Sequence, residues 1–199
     1  MDTVGLGFLF AANHHQAMKH AKKPREELKI RTLFNVLGPL TNPAGAKRQV
    51  MGVFSPHWLR PLAEVLYELG SEHVLLVHSN DGLDEISIAA PTQIVEMRDG
   101  QYQTYQLKPE DFGMRSSSLE PLRVANSAES LALVSAALNQ QHEAATNIVC
   151  LNAGAAIFVA GLTADLHSGV MMAQDVIASG QAAERMQVFV DFTVEIAGS

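Results

Sequence analysis

Apolar positions along this chain recur in three patterns, and each pattern predicts a different element. Over residues 5 to 22, Leu6, Phe10 and Met18 fall at helical spacing and predict a helix. The sequence "NPAG" at 42 to 45 gathers turn formers and closes a loop. "RQVMGVFS" (48–55) and "EHVLLVHS" (72–79) are short, nearly continuous apolar runs, which read as buried strands. Between them "PHWLRPLAEVLYELG" (56–70) has helical spacing and ends at Gly70. Short connections between two such strands predict a βαβ unit: parallel pairing, a right-handed crossover and a sheet covered on both faces.

Beyond residue 84 the pattern becomes alternation. "EISIAA" (85–90), "QIVEMRD" (93–99) and "YQTYQLK" (102–108) read as strands of an antiparallel annex, with Asp99-Gly100 as a hairpin turn. Residues 109–125 read as loop, with serines at 116–118, and helices are expected from Asn126 onward, starting at "NSAES", near Glu143 and at "TADLHSG". The longest apolar run, "IVCLNAGAAIFVAGL" at 148–162, is fifteen residues long and is interrupted by Asn152. That is too short and too polar to span a bilayer, so a buried helix is expected. Its glycines at 154 and 161 match neither the dinucleotide nor the P-loop spacing, and its small residues permit close helix packing.

Composition narrows this α/β reading to one folded unit: 199 residues, 47% apolar and 18% charged. A single Cys150 in an apolar segment forms no intrachain disulfide, and no apolar leader opens the chain; both suit the cytosol. The net charge of −7 hides a division. Residues 1–60 hold nine Lys or Arg against three Asp or Glu, and residues 61–199 hold five against eighteen. The opening quarter is a basic island, whose partners are nucleic acid, phosphorylated metabolites or small carboxylates, unless it is a solvated helix face.

Two constellations carry candidate chemistry. Asp84-Glu85 follows "HSNDG" at the carboxyl end of a predicted parallel strand, where open α/β sheets bind ligands, and oxygen donors there suit a hard cation such as Mg²⁺. On a regular strand the two side chains would point to opposite faces; sharing one ion requires the irregular backbone that Asn80, Asp81 and Gly82 favour, and otherwise each binds its own. Within the basic island, Arg25 can grip a planar carboxylate through two parallel hydrogen bonds, or it is a surface arginine. His14, His15 and His20 do not make a zinc site: His15 and His20 are five apart, and no acid or cysteine lies nearby to complete a tetrahedron. Cys150, without a partner signature, reads as core.

The stretches "GFLFAANHHQAMKHAKKPREELKIRTLFNVLGPLTNPA", "GLDE" and "LNAGAAIFVAGL" together resemble the anthranilate phosphoribosyltransferases of the tryptophan pathway, over essentially the whole chain. The piece "RTLFNVLGPLTNPA" is also similar to the pyrimidine nucleoside phosphorylases. The resemblance implies residue roles. The histidine of the family's "HPAMK" motif falls on His15, its anthranilate-contacting arginine on Arg25, the "LGP" turn lining the anthranilate channel on Gly38-Pro39, and its metal-binding acids on Asp84-Glu85. Gln16 stands where the family has proline, and Lys29 where it commonly has glycine. Neither change removes a ligand, although Gln16 can shift the helix that presents His15.

Family members also carry an N-terminal helical region and a glycine-rich "GTGGD"-type loop for the pyrophosphate of phosphoribosyl pyrophosphate, and neither is matched here. Residues 1–199 are therefore expected to be the C-terminal part of a phosphoribosyltransferase α/β domain, with a mixed, mainly parallel sheet flanked by helices. The implied reaction transfers phosphoribose to anthranilate with Mg²⁺, in the cytoplasm and without nucleic-acid or membrane partners. The chain alone is expected to be inactive and to self-associate through uncovered edges. A nucleoside phosphorylase, a nucleic-acid-binding paralogue and a noncatalytic oligomerising fragment are the competing readings; the overall acidity argues against the second.

Overall fold

The computed structural model describes residues 3–9, 40, 42 and 44–198. A four-stranded mixed sheet organises them. Its strands are β1 (Arg48–Gly52), β2 (His73–Ser79), β3 (Thr92–Arg98) and β4 (Gln101–Leu107), in the spatial order β1-β2-β3-β4. β1 and β2 run parallel, with Val50 opposite Leu75, and β2–β3 and β3–β4 are antiparallel. The parallel pair and two of the three expected annex strands stand where the patterning put them; the sheet is mixed, as expected, with one parallel pairing among the three described rather than a parallel majority.

Helix α1 (Leu59–Glu68) makes the crossover, entered through a short 3-10 turn at Pro56–Trp58. Its buried positions Leu59, Leu62, Ala63 and Leu66 form one helical stripe, and they pack with Met51, Val74, Leu76, Val95 and Met97 from one face of the sheet. Gly70 follows at φ +89°, a left-handed conformation that stops the helix. The opposite face carries Leu75, Val77 and Ile94 against Leu151, Ala155, Phe158 and Val159 of helix α3 (Glu143–Ala160). With a layer on each side, all seven residues of β2 are buried.

Three further helices complete the described chain: α2 (Ser127–Leu138), α4 (Leu166–Ala178) and α5 (Gln181–Gly198). The expected starts are real caps. Asn126 Oδ1 accepts from Glu129 N–H at 3.0 Å, His142 Nδ1 accepts from Ala145 N–H at 3.2 Å, and Asp165 Oδ1 accepts from Ser168 N–H at 2.7 Å. By length and composition alone α3 could cross a membrane. Here it is a core helix, lying on β1 and β2 and against α4. Cys150 is buried within it, and burial pushes its thiol up.

Some expectations need correction. "EISIAA" is not a strand: residues 85–90 are irregular, because Ile86, Ser87 and Ile88 are all buried in succession and side chains take up their backbone groups. Residues 5–9 are not helical, and the rest of the helix expected over 5–22 lies outside the described residues. The turn at "NPAG" is present at its described positions, with Ala44 N–H donating to Asn42 Oδ1 at 2.9 Å and Gly45 N–H to Asn42 O at 3.0 Å. The hairpin at Asp99-Gly100 has both residues at positive φ, +49° and +76°, as a tight primed turn requires.

The small residues of the apolar run have a specific duty. A Cβ built on Gly154 would lie 2.5 Å from Val170 Cα, and one on Gly169 would lie 2.4 Å from Gly154 O, so α3 and α4 cross backbone to backbone. Gly154→Ala is expected to lower stability by about 1–3 kcal/mol, overpacking outweighing the ~1 kcal/mol of helix propensity regained. Urea unfolding measures this, and an unchanged midpoint would contradict the close crossing.

Candidate functional site

The carboxyl ends of β1 and β2 open onto a cavity of about 490 Å³. Val50, Val77, Ile148 and Val149 give it apolar walls, and Asp84, Glu85 and Asn152 supply its polar rim. Both acids of the predicted pair therefore border one space. This is possible because residues 80–91 follow no strand, the irregularity that a shared ion site requires.

Local hydrogen bonds build that irregular path. Asp81 bends it first: Oδ1 accepts from Leu83 N–H at 3.0 Å and Oδ2 from the Ser87 hydroxyl at 2.6 Å. Burial alone would raise the Asp81 carboxyl, but these bonds hold it below its ordinary range. Gly82, at φ +92°, completes a turn in which its N–H reaches Ser79 O at 2.9 Å. At the far end Asn80 N–H donates to Pro91 O at 2.9 Å and Ser87 N–H to Thr92 Oγ1 at 3.1 Å, closing the excursion at its base.

The excursion is then clamped from two sides. A Cβ on Gly52, the last residue of β1, would lie 1.7 Å from Asp84 O, so glycine is required for the acid pair to come this close to β1. On the other side, the Asn152 carboxamide of α3 bonds both the N–H and the C=O of Ile86, at 3.0 and 2.9 Å. His78 Nδ1 lies 2.7 Å from Val53 O, and since a carbonyl only accepts, the ring proton sits on Nδ1 and ties the ends of β1 and β2 together.

The electrostatics of the pair favour a cation. Burial, and after it the charge of Asp84, pushes the Glu85 carboxyl above its ordinary range. Among the described residues no group of three or more His, Cys, Asp or Glu side chains could hold a metal. Asp84 and Glu85 thus form a pair of carboxylate oxygen donors, the ligand type that suits a hard cation.

A larger recess of about 740 Å³ lies between the β3–β4 hairpin and the start of α4, away from the carboxyl ends of β1 and β2. Its most buried acid, Glu96, is already committed: Oε1 is 2.9 Å from His73 Nε2, and Oε2 accepts from the Tyr105 hydroxyl at 2.9 Å. Burial would raise the Glu96 carboxyl, but these bonds hold it below its ordinary range, and the Tyr105 phenol is pushed far up by its own burial and by Glu96. That is a structural network rather than a reactive one.

The other predicted site residues, His15, Arg25, Gly38 and Pro39, lie outside the described residues, as do His14 and His20. Three cations of the basic island are described, and all three are engaged. Lys47 and Arg48 each reach Glu72 at 3.4 Å, and Arg60 pairs with Glu64 at 2.6 Å and lies 3.8 Å over the Tyr102 ring. Sequence reasoning missed Gly52 and Asn152. A lone asparagine inside a fifteen-residue apolar run was the available signal, because a polar group placed there must find a partner.

Comparison with known proteins adds four findings. Residues 1–183 match the model of the glycosyl transferase family, a/b domain. The chain is 53% identical over 194 residues to an anthranilate phosphoribosyltransferase of Halorhodospira halophila, covering 98% of this chain and 57% of that relative. Among solved structures it is similar to anthranilate phosphoribosyltransferase from Thermus thermophilus, at 42% identity and a TM-score of 0.85, over 95% of this chain and 56% of that one. It is also similar to the Saccharomyces cerevisiae enzyme in complex with PRPP and Mg, at 26% identity and a TM-score of 0.78, over 89% and 51%. The chain thus spans little more than half the length of these relatives.

The raised Glu85 carboxyl has a consequence for stability. Its proton is held more tightly in the folded chain than in the unfolded one, so stability falls as pH rises from the ordinary glutamate range through the raised value. Although burial at the carboxyl drives the shift, Glu85 as a residue stays largely open to solvent, so screening limits the effect: Glu85→Gln is expected to stabilise the metal-free chain at neutral pH by no more than about a few tenths of a kcal/mol. The difference should vanish below the ordinary glutamate range. Denaturant unfolding at several pH values measures it, and a destabilised variant at neutral pH would contradict a Glu85 carboxyl raised by burial and by the Asp84 charge.

Proposed function

Because the chain belongs to the glycosyl transferase family through its a/b domain, we propose that it is the metal-binding and acceptor-binding part of an anthranilate phosphoribosyltransferase. The whole enzyme transfers the phosphoribosyl group of phosphoribosyl pyrophosphate to anthranilate in tryptophan, hence aromatic amino acid, biosynthesis. It is a cytoplasmic homo-oligomer, and residues 1–199 alone turn over little because the donor's phosphate cradle is not among them. The observation that carries this reading is the placement of Asp84 and Glu85 on one cavity at the carboxyl ends of parallel strands.

The chemistry is displacement at the anomeric carbon of the ribose: a bond from the anthranilate nitrogen forms while the bond to the pyrophosphate oxygen breaks. Asp84 and Glu85 would hold Mg²⁺, together or one ion each, and the ion would supply positive charge against that developing on the departing pyrophosphate. Arg25 grips the anthranilate carboxylate through two parallel hydrogen bonds and so aims the amine at the anomeric carbon. Gly38-Pro39 forms the wall of the acceptor channel. His15 orients the acceptor and is not an obligatory base, because an aromatic amine carries no extra proton at neutral pH and needs little help before attack. The apolar walls at Val50, Val77, Ile148 and Val149 desolvate one side of the acid pair, whose outer side stays open to solvent and to the donor's phosphates.

The test uses residues 1–199 fused behind the N-terminal portion of a curated relative, so that both halves of the site are present. Arg25→Ala is expected to raise the KM for anthranilate about 10- to 100-fold, the worth of charge-assisted hydrogen bonds, with little change in the KM for the donor. Equal effects on both substrates would remove Arg25 from the acceptor site.

A further inference from the structure

Apart from the acids themselves, the residue at the cavity that demands an explanation is Asn152. It stands in the middle of α3, among apolar neighbours, and its carboxamide makes three hydrogen bonds, all to backbone. Oδ1 accepts from Ile86 N–H at 3.0 Å, while Nδ2 donates to Ile86 O and to Ile148 O, each at 2.9 Å. The orientation of the amide is fixed by its partners, since an N–H only donates and a carbonyl only accepts. Both of its hydrogens are spent, so Asn152 borders the cavity with no donor left for a ligand.

A side chain that offers one acceptor and one donor to the same residue does what a neighbouring strand does. Ile86 needs that service: it is 2% exposed and belongs to the stretch that alternates like a strand yet pairs with none. Backbone groups left unpaired at such a buried site are costly in native proteins, so the chain at Ile86 is held where Asn152 can reach it. The residue immediately before Ile86 is Glu85, and the one before that is Asp84, whose carbonyl fills the space above Gly52. The acids are thus the two residues between a clamp on β1 and a clamp on α3.

We propose that Asn152 is a positioning residue for the acid pair: by acting as a one-residue strand partner for Ile86, it sets the backbone direction that turns Asp84 and Glu85 into the same cavity. This rests on the reading that the pair holds Mg²⁺. Without the carboxamide, Ile86 must seek other partners, and the backbone before it relaxes toward an extended path on which adjacent side chains diverge to opposite faces. The acids then no longer share the cavity, although each remains in the chain.

The test uses the 199-residue chain, Mn²⁺ as the probe and two readouts: Mn²⁺ binding by electron paramagnetic resonance, and hydrogen exchange of the Ile86 amide. Asn152→Ala is expected to raise the Mn²⁺ dissociation constant about tenfold or more, as is usual for loss of a group that orients metal ligands, and to speed exchange at Ile86. Asn126→Ala, which removes the cap of α2 and touches no part of the cavity, should lower the thermal midpoint without changing Mn²⁺ affinity. Unchanged Mn²⁺ binding in Asn152→Ala overturns the proposal, and so does equal weakening in the Asn126 control, which would mark general destabilisation. If the alanine variant does not fold, Asn152→Gln keeps the carboxamide but displaces it by one methylene, and it carries the same two readouts. If the unaltered chain takes up no Mn²⁺, the metal reading fails for this chain on its own. Exchange at Ile86 then decides the positioning role alone, faster in the variant upholding it and unchanged overturning it.

Discussion

Strand β2 is buried along its whole length, and the rest of the described structure answers to that constraint. A strand covered on both faces has no lateral surface to offer a ligand, so polar chemistry is displaced to its ends. At the amino end the demand is met internally, by His73, Glu96 and Tyr105 bonding one another across three strands. At the carboxyl end the chain leaves the sheet as residues 80–91, and there two carboxylates border a cavity without comparable hydrogen-bond partners among the described residues. The same burial that stabilises the core therefore separates an internally bonded polar network at one end from an open pair of carboxylates at the other.

The excursion at 80–91 keeps its form because side chains stand in for the missing ladder. Asp81 and Ser87 bond each other, Thr92 takes the Ser87 amide, and Asn152 pairs with Ile86. Each of these partners projects from an element whose own place is fixed by packing: β3 supplies Thr92, and α3 supplies Asn152. α3 is in turn held by its crossing with α4, where Gly154 and Gly169 allow backbones to touch. Arg48 adds a tie from the start of β1 to the last turn of α3, at 3.4 Å from Val159 O and 3.3 Å from Ala160 O, where a cation meets the negative end of the helix dipole. Packing far from the cavity thus reaches the carboxylates through a short series of contacts.

The strands and helices were legible in the sequence wherever a local rule decides. Continuous apolar runs gave β1 and β2, Asp99-Gly100 placed the hairpin, and Asn126, Glu143 and "TADLHSG" marked helix starts that are capped as expected. The segment "EISIAA" misled because alternation of Ile86 and Ile88 imitates a strand, while the partners that make it irregular, Thr92 and Asn152, lie elsewhere in the chain. Asp84 and Glu85 were legible as a pair, through their place after a parallel strand. Their convergence was not, since it depends on a glycine at the end of β1 and an asparagine 66 residues beyond Ile86. Long-range hydrogen bonds of this kind leave no periodic trace.

On the proposed reading, Asp84 and Glu85 hold cations at the strand ends, sharing one ion or binding one each. Diffraction from crystals of the chain grown with Mn²⁺ and inorganic pyrophosphate tests it directly, because manganese scatters anomalously and reports its own position. Anomalous density at coordination distance from the Asp84 and Glu85 carboxylates, as one shared ion or one on each, is the expected result. Manganese bound elsewhere, or absent from both carboxylates, would contradict the account.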